Sequence, residues 1–382
     1  MKAYFGSQIV AEQGLAPDSY LLEEEGRIVG ITQTLQAGVP VTAYQNGTIA
    51  PGLIDIHTHG ALGYETGYCD KEQLRQWSRH NLAHGVTGFL PSTASIPVAR
   101  IREAARAIQE LAGESLTNIL GLHLEGPFFG TGPKIGAQNP AYVQKEFTAE
   151  FRDLLTEYRQ VIKYLAVDPS LAAASEIAPF CARLGIPVAA AHSDIPYEEF
   201  LKRKSWGFTA ITHTFNGMRG LDHRTPGLAY AGCMDPDLYA EIICDGYHVS
   251  FLMVKLFLKL KGYRKAILIT DSIAAAGMPP GSYTLGDIAI QVSAAGKVIK
   301  EDGALAGSIL TLDQAVRNVV HYLKIPLSEA IYMASAAPAE LLGIADRKGS
   351  LRPGKDADFI VFDRDLAVTA TYIQGRNLFR GD

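Results

Sequence analysis

Two kinds of apolar pattern alternate along this chain. At the front, YLLEEEGRIVGI sets an apolar pair against a β-branched run across a charged turn at Glu25-Gly26, which predicts a β hairpin. At the end, GSLRPGKDADFIVFD carries Arg352-Pro353-Gly354-Lys355, which suits a type II turn with Pro second and Gly third. An alternating strand through Phe359, Val361 and Asp363 follows. Neither end can bury a core alone. Together they predict a small composite β-sandwich domain of residues 1–51 and 346–382, with the middle of the chain inserted.

In the middle, short β-branched or apolar runs alternate with longer amphipathic stretches, the signal of a parallel sheet with crossover helices. The runs are LIDIHTH from Leu53, TGFLPS from Thr87, ILGLHLEGPF from Ile119 and IKYLAVDP from Ile162. PVAAAHSD from Pro187, AITHTFN from Ala210, YAEIICDG from Tyr239 and AILITDS from Ala266 complete them. Eight runs predict an α/β fold, a (β/α)8 TIM-like barrel over residues 52–345. Asp70 is placed to cap a helix with Gln73 three residues on, and Gly85 to end it. From Pro97 to Leu111, residues Val98, Ile101, Ala105, Ile108 and Leu111 share one helical face before Gly113.

Composition narrows the class. Of 382 residues, 47% are hydrophobic, and the net charge of −5 argues against nucleic acid as the main partner. No run of about 18 apolar residues appears, so no membrane span is expected. The start, MKAYFGSQIVAEQG, lacks a basic stretch followed by an apolar core, so no secretory signal is expected. Cys69, Cys181, Cys233 and Cys244 are scattered without a CxxC pair, and read as reduced thiols of a cytoplasmic protein.

The chemistry gathers where the strands end. Residues two apart in a strand share a face, so His57 and His59 of DIHTH both point into the barrel mouth. Glu125 ends the third run, His192 the fifth, His213 the sixth and Asp271 the eighth. In this fold catalytic groups come from the C-terminal strand ends. A lone HxH in a strand is more often structural than metal-binding. Six titratable groups on one rim, with nearly none in the strand bodies, are hard to explain as packing, because buried unpaired charge is costly and a metal compensates it. Imidazole with carboxylate suits zinc or ferrous iron. His123, one layer deeper than Glu125, reads as a hydrogen-bonded core residue. His80, His84 and His321 fall on predicted helices, in surface or helix-end roles. His223 and His248 lie in loops on the catalytic face, where substrate contacts are found.

PGLIDIHTHG near the front and GSLRPGKDADFIVFD near the end resemble the amidohydrolase superfamily. LEGPF at 124–128, AHSD at 191–194, THTFNGM at 212–218, DHRTPG at 222–227, DGYHV at 245–249, TDSIAAAGMPPGSY at 270–283 and LAGS at 305–308 are more specific. Over nearly the whole chain they resemble N-acetylglucosamine-6-phosphate deacetylases, including the similar N-acetylgalactosamine-6-phosphate deacetylases.

The resemblance implies hydrolysis of the acetamide of N-acetyl-D-glucosamine 6-phosphate to glucosamine 6-phosphate and acetate, in amino-sugar catabolism. It implies one divalent ion on Glu125, His192 and His213; some members hold a second on the HxH pair and others have lost it, so with His57 and His59 intact one or two ions per subunit are expected, Glu125 bridging where both bind. Asp271 matches the general acid/base. Asn216, Gly217 and His248 match substrate-binding positions. Arg224 matches an arginine that reaches the phosphate from the neighbouring subunit, which implies a homodimer. Gln138 stands where the family usually has a substrate-contacting histidine; its amide can donate a hydrogen bond but carries no charge. Ser272 replaces a common alanine.

Three rivals remain. The galactosamine epimer fits FNGM and the short GMRGLDHR segment. Another amidohydrolase acting on a small N-acyl substrate is a second. The cyclic-amide type is disfavoured, because the fourth run ends in Val167-Asp168-Pro169 and Lys163 lies at its wrong end. A deaminase lacks its HxxE-type segment. The third rival, a binding protein on an inactive barrel, conflicts with six intact ligand and catalytic positions.

Overall fold

The computed structural model describes residues 1–381 except Gln13, Gly113, Ser115, Leu116 and Asp287, so the Gly113 helix end lies outside the described residues. Eight parallel strands form the central sheet: Leu53–Thr58, Val86–Thr93, Leu122–Glu125, Ile162–Val167, Val188–Ala190, Phe208–Ile211, Tyr239–Ile243 and Ala266–Ile269. They lie side by side in chain order. The eighth meets the first through Asp271 N donating to the His57 carbonyl (2.9 Å) and His59 N to that of Ser272 (2.7 Å), so the sheet closes as a barrel. Most strand positions are buried on both faces, which is why these segments read as nearly continuous apolar runs.

The crossover helices begin and end as their sequences direct. Asp70 and Gln73 form both bonds of a capping box, each 2.9 Å, at the start of the helix Lys71–Ala83. The helix Val98–Ala112 buries Ile101, Ala105, Ile108 and Leu111 on its inner face.

Both chain ends build a second, seven-stranded sheet. Its order is Arg376–Arg380, Val368–Ile373, Phe359–Phe362, Val41–Pro51, Lys2–Ala11, Gly14–Glu24, Arg27–Thr32. Glu25 (φ 51°) and Gly26 (φ 80°) make the tight hairpin turn, and Gly354 (φ 85°) the later one. The sheet folds over on itself: Ile28 N donates to Lys355 O (2.9 Å), Gly354 N to Ile28 O (2.8 Å) and Ala357 N to Gly26 O (2.8 Å). Its halves enclose one core of Tyr4, Ile9, Leu21, Ile28, Ile49, Phe359 and Tyr372. The architecture is the expected barrel with a β-sandwich.

Two small sheets were not expected from the sequence, the short pair Gly60–Ala61 with Tyr64–Glu65 and a larger one. After the eighth barrel strand, Gly281–Leu285, Ile288–Val292 and Val298–Lys300 form an antiparallel three-stranded sheet. Its neighbourhood supplies Leu285, Leu305, Ala306 and Gly307 to the cavity at the barrel mouth.

Candidate metal centre

His192, His213 and Asp271 each sit two residues beyond the last paired residue of a barrel strand, in left-handed backbone (φ 46°, 28° and 49°). That conformation costs a non-glycine residue about 1–3 kcal/mol and persists only where surroundings hold it. Here Asp271 N is held by the His57 carbonyl, and His213 N by Glu241 Oε2 at 3.1 Å. Gly217 (φ 59°) lies so close to His192 that an added Cβ would stand 2.7 Å from its Nδ1, so only glycine fits.

The predicted ligands converge. Glu125 Oε1 lies 3.1 Å from His192 Nε2, 3.0 Å from His213 Nε2 and 3.6 Å from His57 Nε2. Glu125 Oε2 lies 3.4 Å from His59 Nε2. Asp271 Oδ1 lies 3.3 Å from His59 Nε2 and 3.6 Å from His57 Nε2. His57 faces His59, and His192 faces His213, with 3.2 Å between Nε2 atoms in each pair.

Hydrogen bonds on the far side of the rings fix what these nitrogens offer. His57 Nδ1 meets Glu241 Oε2 (3.0 Å), His59 Nδ1 the Ser92 carbonyl (3.0 Å) and His192 Nδ1 the Lys134 carbonyl (2.8 Å). Each partner is acceptor-only, so each Nδ1 donates and the neutral ring presents a lone pair at Nε2. Lone pairs facing each other among carboxylates repel unless a cation or a proton lies between them. The residues fit divalent ions: His57, His59 and Glu125 form one group, and Glu125, His192 and His213 a second, with the ligand atoms of each within 4.8 Å.

The proton affinities show the same demand for positive charge among these groups. Burial works to lower His57, but Glu241, Asp271 and Glu125 outweigh it and raise it to about 9. His59 is raised well above its ordinary value against burial, through Asp271 and Glu125. Burial works to raise Asp271, yet His59 and His57 bring it down to about 2, so its carboxylate is ionised at neutral pH. Glu125 is held well below the usual range by His192, His213 and His59, again against burial.

The other predicted positions divide. Gln138, Asn216, Gly217 and His248 line the same cavity as the ligands. Gln138 Oε1 accepts from Ser95 N (2.6 Å) and its amide donates to Glu125 Oε2, so its two ends join the Ser95 backbone to Glu125. His248 Nδ1 meets Asp245 Oδ2 at 2.7 Å; burial lowers its proton affinity, but Asp245 raises it above the ordinary value. Asn216 donates to the His213 carbonyl (3.3 Å). Arg224 does not join them: it is exposed, and the described residues lining the cavity include no Lys or Arg.

Outside the cavity, His123 is fully buried, bonded through Nδ1 to Ser92 Oγ (3.0 Å) and stacked on Tyr164, as a core residue should be. His84 pairs with Asp313 (3.1 Å), and His223 is largely exposed. Ser272 ties Thr58 Oγ1 (2.8 Å) and the Gly60 carbonyl (3.0 Å) into the rim.

The expectation that strand bodies carry almost no charge is corrected by two residues. Asp55 is buried and accepts from Thr270 Oγ1 (2.6 Å); burial pushes it up to about 7 although the Thr270 and His57 bonds lower it. Glu241, fully buried in the seventh strand, holds His57 and His213. The sequence signal was present in YAEII, where a carboxylate interrupts an apolar strand.

A cluster of imidazoles and carboxylates fit for divalent ions, at the C-terminal mouth of a (β/α)8 barrel, is the arrangement these observations define. The amidohydrolase family model matches residues 48–378. N-acetylglucosamine-6-phosphate deacetylase of Vibrio furnissii is 36% identical over 333 residues, 87% of this chain and 83% of that protein. N-acetylgalactosamine-6-phosphate deacetylase of Escherichia coli O157:H7 is 33% identical, covering 97% of each. A mutant N-acetyl-D-glucosamine-6-phosphate deacetylase of Mycobacterium smegmatis, solved in complex with N-acetyl-D-glucosamine-6-phosphate, superposes with a TM-score of 0.91 at 27% identity, covering 99% of both chains. The chain belongs to the amidohydrolase family, in the branch of the N-acetylglucosamine-6-phosphate deacetylases.

Proposed function

We propose that this chain hydrolyses the acetamide of N-acetyl-D-glucosamine 6-phosphate, releasing acetate and glucosamine 6-phosphate. One observation carries the reading: two ligand groups sharing Glu125 stand beside an ionised Asp271 in a single cavity. Glu125, His192 and His213 would hold one divalent ion, and His57 and His59 with Glu125 a second, as zinc or ferrous iron. A bound ion supplies Lewis acidity, which lowers the pKa of water to roughly 7 and polarises a carbonyl oxygen.

The chain's own groups do the rest. Asp271, ionised, accepts the proton of the attacking water and returns it to the nitrogen that leaves as the sugar's amine. His248, its Nδ1 held by Asp245, has Nε2 left to offer the ligand, and Asn216 and Gly217, which line the same cavity, would orient the sugar. Gln138 spends one N–H on Glu125 and keeps the other for the substrate.

A phosphate dianion needs a cation, and the described lining of the cavity offers no Lys or Arg. Arg224, exposed on its loop, suits delivery to a neighbouring subunit's cavity, and the functional unit is then a homodimer. No helix among the described residues is long and apolar enough to cross a membrane. Four free cysteines, three of them buried, support a reducing, cytoplasmic setting.

The test is acetate release from the N-acetylglucosamine and N-acetylgalactosamine 6-phosphates and from both unphosphorylated sugars, after loading with zinc or ferrous iron. The gluco 6-phosphate should be the best substrate. Faster turnover of the galacto epimer would reassign the sugar, and no acetate from any of the four would sink the reading.

A further inference from the structure

Of the four converging imidazoles, three have a hydrogen-bonded Nδ1 and that of His213 has no partner among the described residues; of the three, one is held differently. His59 and His192 hand their Nδ1 protons to the neutral backbone carbonyls of Ser92 and Lys134. His57 gives its proton to a carboxylate, Glu241, which is fully buried in the body of the seventh strand. A buried carboxylate there is expensive and needs a compensating purpose. The same oxygen, Oε2, also accepts the backbone N–H of His213 at 3.1 Å, and His213 needs that anchor because its φ is +28°.

We propose that Glu241 is a positioning residue that joins the two ligand groups through one oxygen, and that its charge selectively supports ion binding at His57–His59. The inference rests on the metal-dependent reading above. A carboxylate behind an imidazole fixes the tautomer and strengthens Nε2 as a ligand; a carbonyl fixes the tautomer with less electronic push. His57 is therefore the ligand most sensitive to what stands behind it. His213 takes from Glu241 only a backbone anchor, which any correctly placed oxygen supplies. Charge and anchor are thus separable by substitution. In Glu241→Gln the amide oxygen still accepts from both donors and the charge is gone. The amide NH2 can turn toward the Tyr164 hydroxyl, which lies beside the carboxylate and can accept a hydrogen bond.

The experiment titrates zinc into chelator-stripped parent and Glu241→Gln enzymes, with competition against a chromophoric chelator and elemental analysis of the bound ion per subunit. Cobalt substitution gives a visible spectrum for each ion, and circular dichroism checks the fold. The parent should bind two zinc ions. The variant should bind the first as the parent does and the second about 10–100-fold more weakly. A structural defect would instead weaken both ions together and lower the melting temperature. Glu241→Asp is the second variant: it keeps the buried charge but is one methylene short of both His57 Nδ1 and His213 N, so it should weaken both ions rather than the second alone. Two ions bound with parental affinity in folded Glu241→Gln, equal loss at both sites in that variant, loss confined to the second ion in Glu241→Asp, or only one ion in the parent would overturn the inference. Failure of the parent to bind any zinc or ferrous iron would instead overturn the metal reading on which it rests.

Discussion

The terminal sheet and the barrel mouth both bury carboxylates, and they neutralise them by opposite means. In the terminal sheet Asp356 is met by Arg27 (2.6 Å), Arg347 (3.2 Å) and Lys348 (3.4 Å), and Lys348 also pairs with Asp358. Each acid there finds a permanent cation of the same chain. In the barrel mouth Glu125, Asp271 and Glu241 meet imidazoles, whose positive charge is optional. The first arrangement is complete as folded, and serves to clamp the two ends of the chain together. The second leaves its charge balance open to protons or to ions. Buried charge alone therefore does not mark a functional site; several buried acids that converge on shared imidazoles with no permanent cation beside them do.

Four experiments test that contrast, in order of expected effect. Asp271→Asn should lower kcat by about 10³–10⁴-fold while the ions stay bound, because the amide keeps the shape and cannot take the proton. Steady-state kinetics with elemental analysis checks this, and near-parental turnover would remove Asp271 from the chemistry.

Lys348→Met should do the reverse. It strands Asp356 and Asp358 with one fewer cation and should cost about 3–5 kcal/mol of stability, with ion content and KM unchanged. Denaturant unfolding of the holoenzyme measures the loss; a change below 1 kcal/mol would show that the terminal cluster is screened like a surface pair.

Arg224→Ala should lower kcat/KM by about 10–100-fold for the 6-phosphate and leave the unphosphorylated sugar unaffected, since a contact discriminates only substrates that differ in the group it touches. Mixed dimers of Arg224→Ala and Asp271→Asn subunits should regain activity, because one of their two cavities has both residues. If demonstrably mixed dimers stay inactive, Arg224 does not serve the neighbouring cavity.

The smallest effect concerns a third way of burying a titratable group. His80 stacks edge-on against His84, with 4.7 Å between ring centroids. Burial, helped by His84, lowers it from 6.5 to about 4. Between those values the unfolded chain binds a proton that the folded chain refuses, so this contribution is full above about pH 6.5 and shrinks as pH falls toward 4. His80→Gln should flatten the acid limb of melting temperature against pH. An unchanged slope between pH 6.5 and 4 would show that His80 titrates normally.

Much of this was legible in the sequence because barrel strands announce themselves. Each buried run ends in a polar residue, and the fold puts those ends together; Glu125, His192, His213 and Asp271 could be placed without coordinates. Asp55 and Glu241 were not, because a single acid inside an apolar run carries no mark of the partner across the barrel. The three-stranded insertion was missed although Ile288, Ile290 and Val292 alternate as a strand should. Gln138 could be read as a wall residue, but its bond to Glu125 depends on how the Gly136–Pro140 loop folds back over the third strand.

The terminal sheet has a consequence for the chain as it is made. Tyr4, whose hydroxyl bonds to Gly375, waits 371 positions for its partner. The N-terminal strands leave the ribosome first and can finish their sheet only when nearly the whole chain has followed. All eight barrel strands emerge in between, so the barrel can assemble while the early hairpin still presents an apolar face and an open edge. Folding of this sheet is thus closed by the strands from Phe359 onward, and a chain truncated before Phe359 would keep every candidate metal ligand yet lack the strands that cover its beginning.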